Sequence, residues 1–115
     1  MLVLRRRLNE TTYVGTALDP LAPAQTCDWS IRVTRIVDSF ERPRVSAEIT
    51  YASGEVEQVQ FAPQFPTLEV EGCTVKLVSI RTMVRADQSQ EAFVNLGFDA
   101  PPNVNILRDN ARTHE

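Results

Sequence analysis

The feature that most limits what this chain can fold into is a two-residue alternation of apolar and polar side chains, recurring in short runs between turn formers. Trp29-Ser-Ile-Arg-Val33 and Val45-Ser-Ala-Glu-Ile-Thr-Tyr51 both alternate, the period of a strand with one buried face. They are joined around Ser39 to Pro43. Ala52-Ser53-Gly54 reads as a hairpin turn into Glu55-Val-Glu-Gln-Val-Gln-Phe61, with glycine where positive φ is easiest. Ala62-Pro-Gln-Phe-Pro66 breaks the run and Leu68-Glu-Val70 resumes it. Thr74 to Ile80 and Ala92 to Phe98 form two further strands around a polar loop at Arg85 to Gln90. Ala100-Pro101-Pro102 forces a turn, because proline fixes φ and restrains the residue before it, and Val104 and Ile106 belong to a last strand. Leu18 to Gln25, with two prolines, reads as an irregular connection. The expected fold class is all-β.

The first residues, Met1-Leu-Val-Leu-Arg5-Arg6-Arg7, are an apolar run ending in three arginines. Alternation sends Met1 and Val3 to one face and Leu2 and Leu4 to the other, which suits a strand buried on both sides. Adjacent guanidiniums repel one another and need solvent, carboxylates or an anion; phosphate fits their forked donors well. After a turn at Asn9-Glu10, Thr11-Thr-Tyr-Val14 is a β-branched and aromatic second strand.

Composition enters through charge. The net charge of -3 speaks against a nucleic-acid binder until it is apportioned. Acids crowd the middle, where Asp19, Asp28, Asp38, Glu41, Glu48, Glu55, Glu57, Glu69 and Glu71 outnumber Arg32, Arg35, Arg42 and Arg44. Residues 1–15 carry Arg5, Arg6 and Arg7 against Glu10, so the field there is positive. A chain of 115 residues is expected to be one domain. The absence of an apolar stretch near the roughly 18 residues that span a bilayer makes a cytoplasmic protein without a membrane partner the expectation. Cys27 and Cys73 lack metal-site spacing and are expected as reduced thiols. No cofactor is expected. Nor is an enzyme: His114 has no partner at catalytic spacing, and the chain has no nucleophile elbow or phosphate-binding glycine loop.

Taken together, the two ends resemble the carbon storage regulator (CsrA/RsmA) family. Met1-Leu2-Val3-Leu4, Arg5-Arg6-Arg7 and Glu10 are similar to the family's opening strand and its basic step; Leu96-Gly97-Phe98-Asp99-Ala100-Pro101, Val104-Asn105-Ile106 and Arg108-Asp109 are similar to its closing turn and strand. The resemblance covers residues 1–15 and 72–110 as a five-strand frame. It leaves 16–71 as an insertion, read as a three-stranded antiparallel β-meander, and 111–115 as a short polar tail. It implies an intertwined homodimer in which the first strand of one copy lies beside the fifth of the other, a remedy for a frame too small to be stable alone.

It also implies the ligand: single-stranded GGA elements in messenger RNA leaders or small regulatory RNA, bound so as to modulate translation. On that model Leu4 and the turn Ala100-Pro101 line a base pocket through main chain, Arg5, Arg6, Arg7 and Arg108 supply charge, and Val104 and Ile106 supply apolar contact. Arg5, Asn95, Asp99, Pro102 and Leu107 depart from the family's usual residues. Fewer cations imply weaker binding with a shallower salt dependence. A different class of function is an interaction module, with the frame as dimeric scaffold and the acidic meander as the surface for a protein partner.

Overall fold

A computed structural model describes residues 1–108. They form nine strands and one helical turn: β1 Leu2–Arg7, β2 Thr11–Gly15, α1 Pro23–Thr26, β3 Trp29–Val37, β4 Arg44–Tyr51, β5 Val56–Phe61, β6 Thr67–Val70, β7 Cys73–Val84, β8 Gln90–Asp99 and β9 Asn105–Arg108. The tail expected from residue 111, and Asp109 of the closing motif, lie outside the described residues. The all-β expectation holds, with α1 the single exception; Pro23, whose missing N–H costs nothing at a helix start, opens that turn.

The strands make two antiparallel sheets, one of four in the order β1-β8-β7-β6 and one of five in the order β5-β4-β3-β2-β9. Their inner faces pack into one core. Val14, Trp29, Ile31, Val33, Val45, Ala47, Ile49 and Phe61 come from one sheet, and Val70, Cys73, Val75, Leu77, Val94, Leu96 and Phe98 from the other. Each is an inward member of the alternation seen in the sequence, which is why the strands form where they do. Trp29, placed by that alternation on the apolar face, is 1% exposed.

The three-stranded antiparallel meander expected within 16–71 is present as β3, β4 and β5, but it does not stand apart as an insertion. β3, β4 and β5 continue the sheet that holds β2 and β9, while β6 belongs to the sheet of β1, β7 and β8. There is no five-strand frame with an appendage, because alternation marks strands without naming their neighbours. Nor is β1 buried on both sides. It is an outer strand, and Met1, Leu2 and Val3 remain substantially exposed.

The two sheets have the same internal order. Exchanging β1 with β5, β2 with β6, β3 with β7 and β4 with β8 turns one into the other. The first four strands and the next four are thus equivalent in topology, with the strand exchange of a two-fold, and each set gives its first strand to the other's sheet. Register supports the relation. The pairing of β3 with β4 shifts between Val33 and Arg35, and that of β7 with β8 between Leu77 and Ser79, the equivalent place. Ser30-Ile-Arg-Val33 corresponds to Thr74-Val-Lys-Leu77, residue for residue in chemical type. The connections differ: β2 and β3 are joined through α1, β6 and β7 by Glu71-Gly72 alone, both at positive φ, as a tight hairpin requires. β9 breaks the symmetry. It lies outside β2, and among the described residues no strand lies outside β6.

Candidate nucleic-acid interface

The site residues named from the sequence fall on β1, on β9 and on the turn between β8 and β9. β1 pairs with β8 in the register Leu2 to Phe98, Leu4 to Leu96, Arg5 to Asn95 and Arg7 to Phe93. β9 pairs with β2 from Asn105 against Gly15 to Arg108 against Thr12. Among the described residues of the chain β1 and β9 are thus edge strands of different sheets, each with one neighbour.

The ends nevertheless meet. An open groove of about 350 Å³ is lined by Met1 and Leu2 at the start of β1, by Phe98 and the Asp99 carboxylate at the end of β8, by Ala100, Pro101 and Val104 from the turn, and by Asn105 and Ile106 from β9. Of the expected pocket residues this brings together Ala100, Pro101, Val104 and Ile106; Leu4 is half-buried on the inward face of β1. The turn is held by the Val104 N–H donating to the Pro101 carbonyl at 3.0 Å. The Met1 side chain lies over Gly97, in space that a Cβ there would enter.

The three arginines have three different fates, set by the alternation of β1. Arg5 and Arg7 point outward. The Arg5 guanidinium lies over the Phe93 ring, 4.4 Å from its centroid, a cation–π contact that seats the charged head on the sheet's outer face. The Arg7 Nε stands 3.5 Å from Glu91 Oε1, and Arg85 reaches the same oxygen at 2.7 Å. These contacts, foremost the Arg85 hydrogen bond, hold the Glu91 carboxyl below the usual glutamate range. Arg6 points inward and is 2% exposed. Its Nε donates to the Arg5 carbonyl at 2.8 Å and its Nη1 to the Thr11 carbonyl at 3.3 Å, with Glu10 3.8 Å from Nη2. Arg6 is thus a tie between β1 and the start of β2, and the phosphate contact expected of it has no exposed guanidinium to make it. Glu10 also accepts from the Arg7 N–H at 2.6 Å, closing the turn. Arg108 is exposed and pairs with Thr12, next to the residue whose carbonyl Arg6 holds, so the last strand is registered on the same turn.

Sequence reasoning missed several residues of this face. Cross-strand neighbours share a face, so Arg7, Phe93 and Arg81 form one outward row, Arg5, Asn95 and Ser79 the next, and Val3, Gly97 and Lys76 a third. The Asn95 amide donates to the Ser79 hydroxyl at 2.8 Å. The outer face of this sheet therefore carries Arg5, Arg7, Lys76 and Arg81 around a ring and an amide, with Glu91 at one margin and a row of Asp99, Thr74 and Glu69 at the other. The strands were legible; their register, which assembles the face, was not. Such a surface can hold phosphates with its cations and offer the Arg5 guanidinium and the Asn95 amide to unpaired bases, while the Phe93 ring, buried beneath Arg5, serves as the seat of that guanidinium. No family model matches the chain, and no significant match is found among curated proteins or solved structures.

Proposed function

We propose that this protein binds single-stranded RNA across β1, the Ala100 to Val104 turn and β9, and acts as a post-transcriptional regulator reading GGA elements in messenger RNA leaders. The observation that carries the reading is the joining, in one groove, of the two sequence ends that bear the family resemblance, with Arg5 and Arg7 displayed on the same outer strand. In this reading bases enter the groove between Met1 and Ile106, whose main chain and apolar walls recognise shape and edges, while Arg5, Arg7 and Arg108 hold phosphates. Arg6, buried as a tie between β1 and the start of β2, makes no RNA contact in this reading. A gel shift with a GGA hairpin against a scrambled loop tests this. The expected result is preference for GGA, with affinity reduced in Arg5→Ala and Arg108→Ala; equal affinity for both loops refutes it.

One observation favours the interaction-module reading instead. Phe40 is fully exposed, and it borders an apolar groove with Pro43, Pro63, Pro66 and Ile80. A protein partner seated there would leave RNA affinity untouched by Phe40→Ser, which separates the two surfaces.

A further inference from the structure

The equivalence of topology and register gives Leu2 to Arg6 counterparts on β5 and Arg7 one just beyond it, and so marks out a second edge where an equivalent RNA site would lie. Both edges are built alike. Leu4 corresponds to Val59, each half-buried; Arg6 corresponds to Phe61, each fully inward; Arg5 corresponds to Gln60, each outward. The backbone is repeated, yet the chemistry is not. Gln60, Phe61 and Ala62 stand where the first edge has Arg5, Arg6 and Arg7, so this strand has lost its cations.

The second component of the site is missing as well. On the first side, β8 runs through the proline turn into β9, and that turn and strand form the groove with Met1 and Leu2. At the equivalent point β4 passes straight into β5 through a short hairpin, in which the Gly54 N–H donates to the Tyr51 carbonyl and the Tyr51 N–H to that of Glu55. No chain is left over there to make a counterpart of β9. The hairpin adds acid instead, with Glu55 beside the strand start and Glu57 accepting from the Tyr51 hydroxyl at 2.7 Å. The strand itself brings no guanidinium: Glu55 and Glu57 stand at its start, and the cations near its end, Arg42 and Arg44 beside Gln60 and Ala62, come from β4 and the segment before it and have no turn and outer strand to complete a groove.

We infer that one chain is a complete, single-site unit: it supplies both halves of the composite site itself, binds one RNA element at the β1 edge, and does not bind RNA at the related β5 edge. A protein built this way masks one element and cannot bridge two. The inference rests on the RNA-binding reading above.

The test is stoichiometric titration of the full chain with a short hairpin RNA carrying a single GGA, followed by native mass spectrometry and light scattering. One RNA on one chain is the expected complex. Two RNAs on one chain, or one RNA shared by two chains, overturns the inference while leaving RNA binding intact. No RNA bound at low salt overturns the functional reading and this inference with it. Site assignment uses two variants: Arg5→Ala with Arg7→Ala is expected to weaken binding roughly tenfold or more through lost phosphate contacts, and Gln60→Ala to leave it unchanged. A loss at Gln60→Ala, with the fold intact by circular dichroism, would place RNA on the wrong edge for this account.

Discussion

Arg6→Ala is the perturbation that the geometry of the first turn makes most informative. The guanidinium is almost wholly buried, donates to two main-chain carbonyls and stands near Glu10. Truncation leaves the carbonyls of Arg5 and Thr11 without that donor and opens a cavity beside the core. The expected cost is about 3–5 kcal/mol, the range for removing one partner from a buried charged cluster, out of a total stability of about 5–15 kcal/mol for a domain of this kind. In urea, with an m-value of roughly 1.5–2 kcal/mol per molar, the unfolding midpoint falls by roughly 2 M. Arg6→Leu fills the volume, as Phe61 does at the equivalent place, and recovers part of the loss. Since no guanidinium surface is removed, Arg6→Leu also keeps RNA affinity near that of the parent. A midpoint for Arg6→Ala within the error of the parent would refute the inward tie, and a folded Arg6→Leu that no longer binds RNA would return Arg6 to the contact surface.

Two other outcomes follow from the charges. Glu91→Gln releases Arg7 and Arg85, so RNA binds several-fold more tightly and the salt dependence steepens by about 0.7 in logarithmic slope for each additional phosphate neutralised. In the parent protein the folded-state carboxyl is depressed, so its ion pairs persist above the unfolded pKa and are lost only as pH falls through the lower folded value; the same tightening appears there only below the ordinary glutamate range. Tyr51 donates to Glu57, and that carboxylate pushes the phenol up to about 12. Ultraviolet titration is expected to show one tyrosine ionising there, and Glu57→Gln to bring it back toward the usual value of about 10.

The existence of most strands was legible because alternation is a local property. Val45 to Tyr51 and Thr74 to Ile80 read from the sequence much as they fold, and the turns at Asn9-Glu10 and Gly54 stand where turn chemistry put them. The internal equivalence was hidden. Val14 answers to Val70 and Ile31 to Val75, but the long passage through α1 in one half and the bare Glu71-Gly72 turn in the other change the spacing between equivalents. No fixed period survives for the eye to find. Equivalent core positions also differ in size, with Trp29 opposite Cys73 and Ala47 opposite Leu96, because the two sheets fill one space jointly and need only match in total volume. Of the candidate site, the identity of the two ends was legible and the fate of each arginine was not. A triplet of like charges suggests solvent for all three, whereas strand alternation turns Arg6 inward beside Leu4 and leaves Arg5 and Arg7 outside. The acceptors that make this tolerable, two carbonyls and Glu10, come from the turn geometry.

The central claim is that both ends of one chain meet to build the site, and the pairing of β9 with β2 tests it most directly. Tyr13 and Leu107 are cross-strand partners. With Cys27 and Cys73 replaced by serine, a Tyr13→Cys, Leu107→Cys variant oxidised at low concentration is expected to form its disulfide within the chain and to run as a monomer on a non-reducing gel. A covalent dimer formed quantitatively at high dilution, with no internally bridged monomer, would contradict the account by placing the last strand of each copy on its partner.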